Sequence, residues 1–139
     1  MTAILTIPGK PLGQPRQRIA KIAGRTRNYL PQDNPIHGYK FAIRAAWGSR
    51  PPIEGPVMLS VTAIFPRPKA KTKKTGENKG YPHTGKPDAD NVAKAVCDAL
   101  NGVAYRDDSQ VWQLTVLKLV ASADEQPRTI VELISDCQR

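Results

Sequence analysis

The 139-residue chain carries 21 Lys and Arg against 12 Asp and Glu, a formal charge of +9. That length allows one domain of ordinary size with one real core, and a sequence pI near 9.8 points toward a polyanionic partner. No apolar run approaches the ~18 residues of a membrane span. Residues 1–8 lack the basic n-region of a signal peptide, and Cys97 and Cys137 lack metal-ligand spacing, so a reduced, cytoplasmic protein is expected.

Residues 2–7 read as a short apolar strand stopped by Pro8 and Gly9. The segment from Lys10 to Arg27 holds six basic residues and no acid, and its prolines and glycines predict an extended, loop-like basic track over about 10–30. Asn34, followed by Pro35 at the first helical position, predicts a helix to Trp47 with a core stripe of Tyr39, Ile43 and Trp47. Residues 56–65 alternate as a strand whose even positions are only half polar, so partial cover on both faces is expected. A second basic loop, 67–86, holds seven basic residues and one acid. Each basic segment contributes +6, which leaves the rest of the chain net −3. Concentrated charge of this kind is what a binding surface needs. Arg16, Arg18, Lys69, Lys71, Lys73, Lys74 and Lys86 are the candidate DNA-binding residues.

Residues 90–100 predict a second helix, stopped by Asn101 and Gly102. Strands follow at 111–120 and 129–134, with a turn at 124–127 between them. The expected architecture is α/β: a single-domain mixed β-sheet packed by two helices, in the order β-α-β-loop-α-β-β.

The chemistry concentrates around the second helix, in K-P-D-A-D-N-V-A-K-A-V-C-D-A-L-N-G-V-A-Y-R-D-D-S-Q-V. At about 100° per residue, Asp90, Lys94 and Asp98 share an arc of roughly 80°, opposite Val92, Val96, Ala99 and Leu100. Asp88 precedes the helix, and in an extended segment residues two apart point the same way, so Asp88 and Asp90 can converge. The turn after the helix supplies Asp107 and Asp108, one of which can complete a ligand set. Clustered carboxylates raise one another's pKa. A hard divalent cation relieves that repulsion, and Mg²⁺, with Mn²⁺ as a substitute, suits oxygen ligands. Such an ion acts on phosphodiesters, and Lys94 is placed to meet the reacting phosphate.

Each signal has a plainer counterpart. A D-x-D pair at a helix start also serves capping and the helix dipole, D-D-S-Q before a strand also makes a turn, and Asp98 also fits a solvent-facing helix acid. Cys97 reads as a buried thiol, and His37 and His83 as isolated surface residues. An EF-hand is excluded, because Val92 and Ala93 stand where that loop needs an oxygen ligand and a glycine.

The block H-T-G-K-P-D-A-D-N-V-A-K-A-V-C-D-A-L-N-G-V-A-Y-R-D-D-S-Q-V resembles the signature of the RusA family of Holliday-junction resolvases, especially its prophage-borne members. The opening G-K-P-L-G-Q-P-R-Q-R, R-N-Y-L-P and F-P-R-P-K extend the resemblance over most of the chain. It implies a single endonuclease domain over 1–139 that acts as a Mg²⁺-dependent homodimer on branched DNA in recombination and repair. It implies Asp88, Asp90 and Asp108 as catalytic metal ligands, Asp107 as a neighbour with a secondary role and a candidate further ligand, and Lys94 as the catalytic lysine. The insert K-A-K-T-K-K-T-G-E-N-K departs from the best-known member, so DNA contacts do not carry over to its lysines. No membrane and no nucleotide cofactor are expected. The exposed side of the sheet, or the helix with Tyr39 and Trp47, offers the dimer contact.

Two other functions fit parts of the pattern. A non-catalytic basic DNA-binding module needs only the two loops. A D-x-D phosphatase needs its motif at the end of a strongly apolar strand with Gly or Thr following, whereas here H-T-G-K-P precedes and Asn91 follows.

Overall fold

A computed structural model describes residues 1–69 and 78–135. Five strands form one sheet in the order β1-β7-β4-β6-β5. They are β1 (Thr2–Pro8), β4 (Val57–Phe65), β5 (Tyr81–Pro82), β6 (Val111–Val120) and β7 (Arg128–Ile134). Strand β7 runs antiparallel to both β1 and β4. Strands β4 and β6 are parallel, which requires a crossover, and helix α2 (Ala89–Leu100) lies within it. Helix α1 (Ile36–Trp47) packs beside α2 and against β1.

Period-2 alternation places Ala3, Leu5 and Ile7 of β1, Val57, Leu59 and Val61 of β4, and Val131 and Leu133 of β7 in one core with both helices. The expected stripe of α1, Tyr39, Ile43 and Trp47, is buried there. Burial removes Tyr39 and Trp47 as a surface for a second copy. The Tyr39 hydroxyl bonds Thr129 Oγ1 at 2.7 Å, tying α1 to β7. At the start of α1, Pro35 is already helical (φ −57, ψ −19), and Asn34 Oδ1 accepts from the Ile36 N–H at 3.0 Å. The cap therefore works as the sequence predicts.

Met58, Ser60 and Thr62, on the other face of β4, are half-buried and Ile64 is buried. Flanking strands β7 and β6 give part of that cover, since β4 is central in the sheet. On the same face Ile4 is 60% exposed and Leu117 52%.

Three strands emerge that the sequence reading missed. The expected basic loop carries a hairpin, β2 (Arg18–Ile22) and β3 (Arg25–Tyr29), closed by Ala23 (φ 53) and Gly24 (φ 76). Two left-handed residues in a two-residue connection match the twist of a hairpin. Neither strand has a buried face, so no hydrophobic alternation announces it. Strand β5 is two residues long, and its short pairing with β6 is a tertiary event. Lys71, Lys73, Lys74 and Cys137 lie outside the described residues. Among the described residues no helix is long and apolar enough to cross a membrane.

Candidate active site

Helix α2 is built as two half-cylinders. Val92, Ala95, Val96, Ala99 and Leu100 are fully buried, while Asp90, Lys94 and Asp98 are exposed on the opposite side. After Asn101 the chain turns through Gly102 (φ +78), and Tyr105 is buried at 0% exposure. Its hydroxyl donates to the Cys97 carbonyl at 3.0 Å, beside the Asn101 N–H that donates to the same oxygen at 3.0 Å. The turn is thereby clamped to the helix.

Gln110 fixes the acidic pair that follows. Its Nε2 donates to the carbonyls of Ile53 at 2.8 Å and Gly55 at 2.9 Å. Its Oε1 accepts from the N–H groups of Arg106 at 2.8 Å and Asp107 at 3.1 Å. Asp107 caps the short 3₁₀ turn Asp108–Gln110 by accepting from the Ser109 N–H at 3.3 Å. Arg106 adds a bidentate pair with Glu54, at 2.9 and 2.8 Å. The D-D-S-Q sequence is thus a real turn, and the turn presents Asp108.

Asp90, Ala93, Lys94, Cys97, Asp98, Asp108 and Leu114 line one cleft of about 340 Å³. A second recess of about 590 Å³ is lined by Gln14, Pro15, Arg16, Gln17, Asn91, Lys94 and Asp98. Lys94 and Asp98 belong to both, so the two recesses form one groove along α2. The 14–17 wall is held by the Gln14 N–H donating to the Asn91 carbonyl at 3.0 Å. Gly13 is required there, because a Cβ would lie 2.6 Å from Pro87 Cβ. Gln14 Oε1 is buried without a hydrogen-bond partner among the described residues.

The electrostatics are those of crowded acids. A hydrogen bond to Asp107 raises the Asp108 carboxyl above its ordinary value, and burial and the charges of Asp107 and Asp98 add to it. Asp107 moves the other way, lowered by the Ser109 backbone and by the bond shared with Asp108. The protons of such a pair leave in two steps that belong to the pair. Burial pushes the Cys97 thiol up, with Asp108 and Asp98 contributing.

Asp98 is more than a solvent-facing acid. It pairs with Lys40 of α1, which is only 7% exposed. Asp98 is thus occupied from below, and among the described residues Lys94 has no ion-pair partner.

Asp88 differs from the sequence expectation. It sits at the N-cap in extended conformation (φ −68, ψ 156), but Ala89 already begins the helix. The two-residue alternation that would aim Asp88 and Asp90 together stops there. Asp88 instead pairs with Lys86 at 3.2 Å and does not line the cleft. Among the described residues no three acidic, His or Cys side chains come together as a metal cluster. The donor chemistry still fits a hard cation. Two carboxylates, Asp90 and Asp108, share one cleft, and Mg²⁺ commonly takes one or two carboxylates while keeping waters.

Of the candidate DNA-binding residues, Arg16 lies exposed at the groove, Arg18 opens β2, and Lys69 and Lys86 are exposed. His37 is exposed as expected. His83 is not a simple surface residue: it is half-buried and stacked on Phe65, with centroids 3.9 Å apart. Sequence reasoning missed Gln110, Lys40 and Gln14, whose roles rest on partners more than 50 residues away.

Residues 8–134 match the family described as endodeoxyribonuclease RusA. A Bacillus subtilis (strain 168) relative, "Uncharacterized protein YqaN", is 38% identical over 133 residues, covering 91% of each chain. The chain belongs to the RusA endodeoxyribonuclease family. Membership makes DNA cleavage the activity to be explained, and the RusA block contains both walls of the acidic cleft.

Proposed function

We propose that this protein is a Mg²⁺-dependent endodeoxyribonuclease that resolves four-way DNA junctions by paired symmetric nicks, acting in the cytoplasm in recombination and repair. The observation that carries this reading is the shared cleft of Asp90, Lys94 and Asp108 in a member of the RusA family.

Asp90 and Asp108 would hold the ion, Asp88 would join them on leaving Lys86, and Asp107 is the alternative ligand. When bound, a divalent ion supplies charge stabilisation at the scissile phosphate and a more acidic water. The chain's own residues do the rest. Lys94, at the junction of the two recesses, donates to a phosphate oxygen as negative charge develops there. The Lys40–Asp98 pair keeps Asp98 from neutralising it. The Gln110 clamp holds Asp108 against reorientation.

One chain offers one carboxylate set, enough for one strand. Two matched nicks need two equivalent sites, which a C₂ homodimer presents to a junction with two-fold symmetry of its own. Tyr39 and Trp47 are committed to the core, and the sheet face bearing the exposed Ile4 and Leu117 would receive the second copy.

A cleavage assay comparing a four-way junction with flaps and linear duplex, with and without Mg²⁺, tests the proposal. Paired nicks in the junction, dependent on the ion, are expected. Tight junction binding with intact strands in Mg²⁺ would leave a DNA-binding module instead.

A further inference from the structure

The β2–β3 hairpin projects from the rim of the proposed groove: Gln17 lines the recess beside Lys94, and β2 begins at the next residue. Its pairing register sorts the side chains. Arg18 faces Tyr29, Ala20 faces Arg27 and Ile22 faces Arg25, so these six share one side. The other side carries Ile19, Lys21, Thr26 and Asn28. All three strand arginines therefore lie on one face. That face also holds Ile22, 58% exposed, and Tyr29, 40% exposed, around a recess of about 270 Å³ lined by Ala20, Ile22, Arg27 and Tyr29.

An isolated two-stranded hairpin is marginal in water, and this one buries neither strand. The sequence from Lys10 to Gln32 contains no acid that could neutralise the arginines locally. Arginine's planar fork suits phosphate oxygens bidentately. The five paired residues of each strand span about 17 Å, and a two-stranded ribbon fits the roughly 12 Å major groove of B-form DNA. We infer that the arginine face of this hairpin docks on one duplex arm of the DNA, with Arg18, Arg25 and Arg27 on phosphates flanking the groove and Tyr29 and Ile22 covering the groove edge. The inference rests on the DNA-cutting reading and names the surface that grips the arm beside the cut.

The test is junction binding without Mg²⁺, by fluorescence anisotropy across a salt series, with hydroxyl-radical footprinting of each arm. Losing two phosphate contacts in the double variant Arg25→Gln/Arg27→Gln should lower the slope of log affinity against log salt by about 1.8. Between 50 and 200 mM salt that is about a twelvefold smaller loss of affinity. Protection of one arm should disappear, and Arg25→Lys/Arg27→Lys should restore the slope. Lys21→Gln, on the opposite face, should leave slope and footprint unchanged. These side chains are exposed, so thermal unfolding should not move. If the double variant keeps the wild-type slope while the protein still cuts junctions, the hairpin inference fails and the nuclease reading stands. If Lys21→Gln flattens the slope as much as the double variant, face-specific docking is overturned. A wild-type protein with no salt-dependent DNA binding would overturn both.

Discussion

The two faces of α2 are made of the same twelve residues and obey different rules. On the inner face every side chain is explained by what it touches: Val92, Val96, Ala99 and Leu100 are sealed against the sheet and α1. On the outer face Asp90 and Lys94 explain nothing about the fold. Among the described residues neither has a salt-bridge partner, and both line the groove. Stability and activity should therefore separate cleanly across one helix.

The largest effect expected is on the outer face. Asp88→Asn, Asp90→Asn and Asp108→Asn should each reduce single-turnover nicking by at least about 10²-fold, as when an electrostatic transition-state partner is lost, while junction binding survives. Near-normal cutting by Asp90→Asn in Mg²⁺ would remove the site altogether. Asp88→Asn is the sharper probe, because Asp88 must leave Lys86 to take part. Full activity in that variant alone would reduce the ligand set to Asp90 and Asp108.

The inner face should answer in the opposite currency. Leu100→Ala opens a cavity in the core and should cost about 2–5 kcal/mol in denaturant unfolding. Cutting per folded molecule should stay at the wild-type rate at low temperature. A loss of rate without a loss of stability would contradict the division.

Lys94→Ala should slow single-turnover cleavage, with binding changed only as for one phosphate contact. If weaker binding accounted for the whole defect, Lys94 would be a docking residue. Gln110→Ala breaks the clamp under Asp108 and leaves the part-buried Ile53 carbonyl short of a donor, at about 1–3 kcal/mol. It should also slow cutting, and an unchanged rate would mean that Asp108 needs no such support.

The smallest expected effect is a pH signature. Asp108 has its carboxyl raised in the fold by its bond to Asp107. A raised acid contributes stability that is present below the unfolded carboxyl pKa and lost as pH rises through the folded value. Without divalent ions, Asp108→Asn should therefore raise Tm near pH 7, and the gain should vanish well below pH 4. A gain that is independent of pH would assign it to packing.

The sequence by itself determined the features that are local and periodic. A 3.6-residue period divided α2 into its two faces, the Asn34–Pro35 pair started α1, a two-residue period marked β4, and Pro8 and Gly9 closed the apolar run of β1. These patterns follow from geometry within a few residues. The hairpin escaped because periodicity is visible only where one face is buried, and β2 and β3 bury none. The extended alternation expected of Asp88 and Asp90 is cut short because the helix begins at Ala89, one residue earlier than the sequence pattern marks. Only the tertiary structure decided that β4 and β6 lie parallel, carrying α2 across the sheet and bringing Asp108 beside Asp90. It alone set Lys40 under Asp98, and Gln110 against residues 53–55. Those contacts join segments distant in sequence, and their register is fixed by packing the whole core, which no local pattern encodes.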